Sequence, residues 1–109
     1  MKLKDIKTRL DSVGIPIAYH HFNNPAQPPF LLYEEDGAES ISSDAHNHGA
    51  FLDISVRLAT AYKDLTLERK VELAIDGLAY SKTSLWLDAE KIYETTYTFT
   101  ISNKEEENA

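Results

Sequence analysis

The sequence predicts an α+β domain, a mostly antiparallel sheet of four to five strands with two helices packed on one face. Three observations carry that expectation. Two segments, one at the N-terminus and one over 64–79, repeat apolar residues at helical spacing. Two others, Phe51–Tyr62 and Ile92–Ser102, alternate residue character with the two-residue period of a half-buried strand. The order is helix, strands, helix, hairpin, which suits antiparallel neighbours rather than helical crossovers. With 109 residues and 12.3 kDa, one domain over 1–102 is expected, with a disordered acidic tail over 103–109.

Residues 2–13 read as an amphipathic helix. Leu3, Ile6, Leu10 and Val13 form one stripe, while Lys2, Lys4, Lys7 and Arg9 lie mostly off it. Asp5 and Arg9 stand at i,i+4 and should pair. Gly14 and Pro16 end the helix. Ile15–Tyr19 is a short edge strand, and Phe22–Pro29 is a loop, since three of its residues are prolines. Phe30–Glu35 is the next strand. Asp36-Gly37 is a turn signal opening a polar loop or loose hairpin over 36–49.

Phe51–Tyr62 is the clearest strand, with Leu52, Ile54, Val56, Leu58 and Tyr62 on one face and Asp53, Ser55 and Arg57 on the other. One side should pack on a core and the other should meet water or a partner. Asp64–Ala79 follows as a helix with the stripe Leu67, Val71, Ala74, Ile75 and Leu78; Asp64 or Thr66 caps its start, and Gly77 weakens its end. Ser84–Leu87 and Ile92–Ser102 form a hairpin around Asp88-Ala89-Glu90, with Tyr93, Tyr97, Phe99 and Ile101 on one face and Thr96, Thr98 and Thr100 on the other.

Composition removes several classes of function. Eighteen acidic side chains stand against eleven basic ones, a net charge of −7 that disfavours binding to nucleic acid or an anionic membrane. Cysteine is absent, so no disulfide, thiol nucleophile or Cys-ligated zinc site can form. No apolar run has the length of a membrane span, and no apolar signal core follows the basic N-terminus. The sequence has no nucleophile elbow, phosphate-binding glycine loop or dinucleotide fingerprint. Glu34-Glu35-Asp36 is an acidic run at a strand end rather than an acid–base pair in a dry pocket. No enzyme and no cofactor are expected.

Histidine is the remaining chemical signal. In an extended segment Asp44, His46 and His48 project to one side and offer two imidazoles and a carboxylate, a donor set suited to a divalent metal. The plainer reading is a polar loop of Asp, Asn, Gly and His with no distant fourth ligand. His20 and His21 are adjacent, face opposite ways in a strand, and should not chelate together; one half-buried and one exposed ring is the expectation.

Trp86, the single tryptophan, alternates with Leu85 and Leu87, so both faces of its strand are apolar. That pattern fits a subunit contact, or a tryptophan capping the core edge. The Arg57 face and Trp86 are candidates for one patch of such a contact, and the basic helix face carrying Lys4 and Lys7 is a candidate for meeting acidic surface on a neighbour.

The chain also resembles a known family. Gly14-Ile-Pro-Ile-Ala-Tyr19, followed by Phe22 and then Pro28-Pro29-Phe30-Leu31-Leu32-Tyr33, looks like the opening of small minor structural proteins from siphophages and prophages of Gram-positive bacteria. Tyr62-Lys63-Asp64 leading to Glu68 and Glu72, then Tyr80-Ser81-Lys82, then Glu90-Lys91-Ile92-Tyr93-Glu94, continue the likeness to about Ile101. Asp44–Gly49 is richer in histidine than the family pattern. The family is similar to tail terminator (tail completion) proteins. The resemblance implies a virion protein of the tail or neck, assembled in the host cytoplasm as a ring of its own copies, usually a hexamer. Such a ring caps the tail tube, ends its polymerisation and docks to the head connector or stopper protein. DNA would pass through without specific binding. A head-completion or connector-stopper protein is the alternative within the same neck, and a metal- or small-ligand-binding module lies outside it.

An acidic lumen would repel phosphate during that passage, although the same carboxylates read equally as ordinary solvated surface. The charge is segregated. Four of the basic residues fall within the first nine positions, while residues 10–102 hold 14 acidic and 6 basic residues, a net −8. A head-to-tail ring could use that polarity.

Overall fold

The computed structural model describes residues 1–43 and 46–104, with the backbone alone for 42, 43, 46–48 and 104. Five strands form one sheet: β1 (Ile17–Tyr19), β2 (Phe30–Ser43), β3 (His46–Thr60), β4 (Ser81–Leu87) and β5 (Ile92–Lys104), in the order β1-β2-β3-β5-β4. Only β1 and β2 run parallel; every other pairing is antiparallel. Two helices, α1 (Leu3–Asp11) and α2 (Leu65–Ala74), complete the α+β fold.

Both helices cover the same face. Ile6 and Leu10 of α1 and Val71 of α2, with Ile75 just beyond it, pack into one core with Leu31, Ile54, Val56, Leu58, Tyr97, Phe99 and Ile101 of the sheet. Residues directly opposite in an antiparallel ladder share a face, so the pairings Val56–Tyr97, Ile54–Phe99 and Leu52–Ile101 set the phase of the whole sheet. The N-terminal amine closes the far end by donating to the Ser102 carbonyl at 2.9 Å.

Local chemistry explains the helix ends. At the start of α1 the Lys2 N–H donates to Asp5 Oδ2 at 2.7 Å. Asp5 is thereby taken as a cap, and the expected Asp5–Arg9 pair does not form. Arg9 instead reaches the Asp76 carbonyl at 3.1 Å and ties α1 to the turn after α2. Asp64 caps α2 by accepting from Leu67 N at 3.1 Å. The helix ends at Ala74 rather than Ala79. Ile75 already leaves helical geometry, and Gly77, at φ 90°, turns the chain toward β4.

Three strand expectations need correction. Asp36-Gly37 is not a turn. The ladder continues past it, shifted between Glu35 and Gly37 by a β-bulge, so β2 and β3 make one long hairpin. β5 reaches Lys104, so 103 and 104 belong to the sheet rather than to a tail; residues 105–109 lie outside the described residues. Tyr62 falls beyond β3 and is 67% exposed, off the core face assigned to it. The long hairpin also sets the shape. Fifteen residues at about 3.3 Å each span about 50 Å, matching the longest dimension of 51 Å. The radius of gyration is accordingly 15.4 Å, above the roughly 13 Å of a compact chain this long.

Candidate functional site

Under α2 lies a cluster of charged groups. Glu68 points at the sheet from the apolar stripe and is 2% exposed. Lys63 and Lys82 reach its carboxylate at 2.9 and 2.7 Å. Lys82 also reaches Glu72 at 2.7 Å, and the Tyr97 hydroxyl donates to Glu72 at 2.8 Å. Lys63 extends the cluster to Ser84, which shares a hydrogen bond with Thr95. Burial pushes the Glu68 carboxyl up, but hydrogen bonds from Lys82 and Lys63 outweigh it and hold the group below its ordinary range. Glu72 is depressed in the same way, burial being outweighed by hydrogen bonds from Lys82 and Tyr97. Hydrogen bonds to Glu68 and Glu72 raise Lys82. Burial, then the bond to Glu72, raises the Tyr97 hydroxyl. Fully committed partners make this cluster a clamp between α2 and the sheet. Tyr62-Lys63-Asp64, Glu68, Glu72 and Lys82 all carried the sequence resemblance, and all but the exposed Tyr62 build this clamp or the adjoining cap.

The opposite face has no helix over it. Three rows of side chains run across it: Phe30, Ala59, Glu94 and Leu85; Leu32, Arg57, Thr96 and Thr83; Glu34, Ser55, Thr98 and Ser81. Arg57 sits near the centre, its guanidinium on Glu34, its Nε buried without a hydrogen-bond partner. Toward the hairpin, Ser55 donates to Asp36 at 3.2 Å and Thr100 to Asp53 at 2.8 Å. Asp36, Asp53, Ser81, Thr98 and Thr100 line an open depression of about 540 Å³. Hydroxyls and hydrogen-bonded carboxylates of this kind offer a flat partner many weak polar contacts.

Both edges of the sheet are open in part. β4 is an outer strand with Leu85 55% and Trp86 41% exposed. On the other side β1 covers β2 only as far as Tyr33, the Tyr19 hydroxyl accepts from the Glu35 N–H at 3.2 Å, and beyond Glu35 no strand among the described residues lies outside β2. Such edges are templates for pairing with another chain.

The candidate contact residues are dispersed. Trp86 opposes Tyr93 and therefore stands on the helix-covered side, at its margin, with its indole N–H on Asp88 at 3.3 Å. Arg57 is on the uncovered side, so the two are not one patch. Leu85, opposite Glu94, and Leu87, opposite Ile92, are the apolar residues of β4 that share the Arg57 face. Lys7 pairs with Asp11 on its own helix at 3.0 Å, leaving Lys4 as the more available of the two basic candidates.

Asp44 lies outside the described residues, as do the side chains of His46 and His48, and the metal reading of that triad falls there with them. His20 and His21 depart from expectation. Both are exposed, and His20 takes φ 66°, which brings the two rings together with their Nδ1 atoms 2.8 Å apart. Positive φ at a histidine has no sequence signal. The clamp did leave one, since Glu68, Val71 and Ile75 follow helical spacing and put an acid on an apolar stripe.

No protein-family model and no curated protein matches the chain. Eleven chains of solved structures do match. One, from the structure of the virion of a native gene transfer agent particle, is similar with a TM-score of 0.66 over 89% of this chain and 90% of that one, at 11% identity. At that identity the likeness is one of fold.

Proposed function

We propose that this chain is a structural subunit of a tailed, phage-like particle, and that within it the chain acts as a tail terminator. Copies close into a ring of about six on the end of the tail tube, stop its growth, and present the surface that docks the head connector. Catalysis has no part in this role. The observation that carries the proposal is a fold shared over about nine-tenths of both lengths with a chain of a virion particle.

The surface supports a ring physically. A closed ring needs heterologous contacts, one patch meeting a different patch on the next copy. The molecule offers two such patches, the β4 edge with Leu85 and the part of β2 beyond Glu35, with Glu39 exposed, on opposite sides of one sheet. The net charge of −7 suits a channel through which DNA passes without sticking.

The test is absolute mass in solution across concentration, with and without purified tail tubes, followed by imaging. A closed ring with a central channel, alone or on tube ends, is expected. A chain that stays monomeric and ignores the tubes would overturn the proposal. A ring that binds heads instead would reassign it to head completion or a connector stopper.

A further inference from the structure

The chain bends sharply where β1 ends. The His21 N–H donates to the Tyr19 carbonyl at 2.7 Å, a bond spanning one residue, and that residue is His20 at φ 66°. This is a γ-turn with a positive central φ, a rare and strained arrangement. The His20 N–H, bonded to the Tyr33 carbonyl at 2.9 Å, anchors the turn to β2. Side chains that a straight strand would send to opposite faces here converge, with ring centroids 5.1 Å apart and planes at 89°. Two ring nitrogens 2.8 Å apart cannot both present lone pairs, so something positive must lie between them. In the free protein a proton on one Nδ1 suffices.

We propose that His20 and His21 form a two-nitrogen chelate for a divalent transition-metal ion of tetragonal preference, copper(II) or nickel(II). The spacing selects the geometry. With metal–imidazole bonds of about 2.0–2.1 Å, nitrogens at a right angle lie about 2.9 Å apart, whereas tetrahedral ones lie about 3.4 Å apart. The 2.8 Å that the hydrogen-bonded rings keep already matches adjacent corners of a square-planar or tetragonal ion, whereas tetrahedral zinc would need them to part by about 0.6 Å. Glu34 gives a second, independent indication. Coordination through Nδ1 requires the proton on Nε2, and Glu34 Oε2 lies on that side of His20 at 3.7 Å, longer than a hydrogen bond, so metal binding would draw the two together. A carboxylate behind a ligating imidazole, fixing its tautomer, is the usual support of a metal-bound histidine. Arg57 holds that carboxylate in place. Both rings are exposed, so the ion's remaining positions are open to water or to a donor from a partner.

The full chain is titrated with copper(II), buffered by glycine, and separately with nickel(II), using calorimetry and, for copper, electron paramagnetic resonance. One equivalent is expected, with an axial copper spectrum coupled to two nitrogens. A His46→Ala/His48→Ala double variant should bind as the parent does. His21→Ala should weaken binding tenfold or more, and Glu34→Gln about tenfold, with circular dichroism showing both variants folded. Binding that survives His21→Ala, binding that vanishes in the double variant, or no binding by the parent would each overturn the proposal. None of these outcomes bears on the ring.

Discussion

The two faces of the sheet solve different problems. The face under the helices is closed. At its centre the aliphatic and aromatic side chains have almost no contact with water, Trp86 at the margin apart, and the charged groups beside them are held by one another. The uncovered face is left incomplete, with threonines, an acidic depression, a buried guanidinium nitrogen without a partner, and open strands on either side. Part of the sequence resemblance falls on the closed side, in Lys63, Asp64, Glu68, Glu72 and Lys82. Those residues report how α2 is fastened and say nothing of what the molecule touches.

Substitutions that separate the faces should show this contrast in descending order of stability loss. Ile54→Ala, on the covered face, should cost about 3 kcal/mol by opening a cavity, read as a lower denaturant midpoint with an unchanged slope. Glu68→Ala leaves Lys63 and Lys82 without their shared carboxylate. It should cost about 2 kcal/mol, less than for a fully buried pair because both lysines are partly exposed; Glu68→Gln should recover part of that loss.

Proton linkage sharpens the comparison. Glu68 and Glu72 titrate lower in the folded chain than their ordinary 4.5. Their contribution is therefore present above about pH 4.5 and lost as pH falls through the depressed values. Lys82 is raised above 10.5, so its contribution is complete below that value and lost as pH climbs through the raised one. Unfolding midpoints measured from pH 7 down to 3 should fall, and Glu68→Ala should flatten the decline. Leu85→Glu, on the uncovered face and at the edge, should cost no more than about 1 kcal/mol, the repulsion from Glu94 opposite it included, while abolishing self-association in sedimentation. If the edge mattered only to the fold, the midpoint and the association would change together.

Much of the covered face was legible in the sequence, because burial on one side imposes a period. Ile54, Val56 and Leu58, and likewise Tyr97, Phe99 and Ile101, alternate for that reason. Beyond Asp36 the signal fails. The outer hairpin has polar residues on both faces as far as Ser40, and an Asp-Gly pair is written alike for a turn and a bulge. The clamp was half visible, as an acid on an apolar stripe, but its lysines come from two other segments that only the fold brings together. Nothing in the order of residues foretold that His20 would turn left-handed and bring its ring to His21.

The proposed terminator role puts this chain at the end of a growing tail. Deleting its gene from the element that encodes it and imaging the resulting particles tests this most directly. Overlong tails without heads, restored to normal length by the wild-type gene and not by the Leu85→Glu form, are the predicted result. Tails of normal length joined to heads would contradict it.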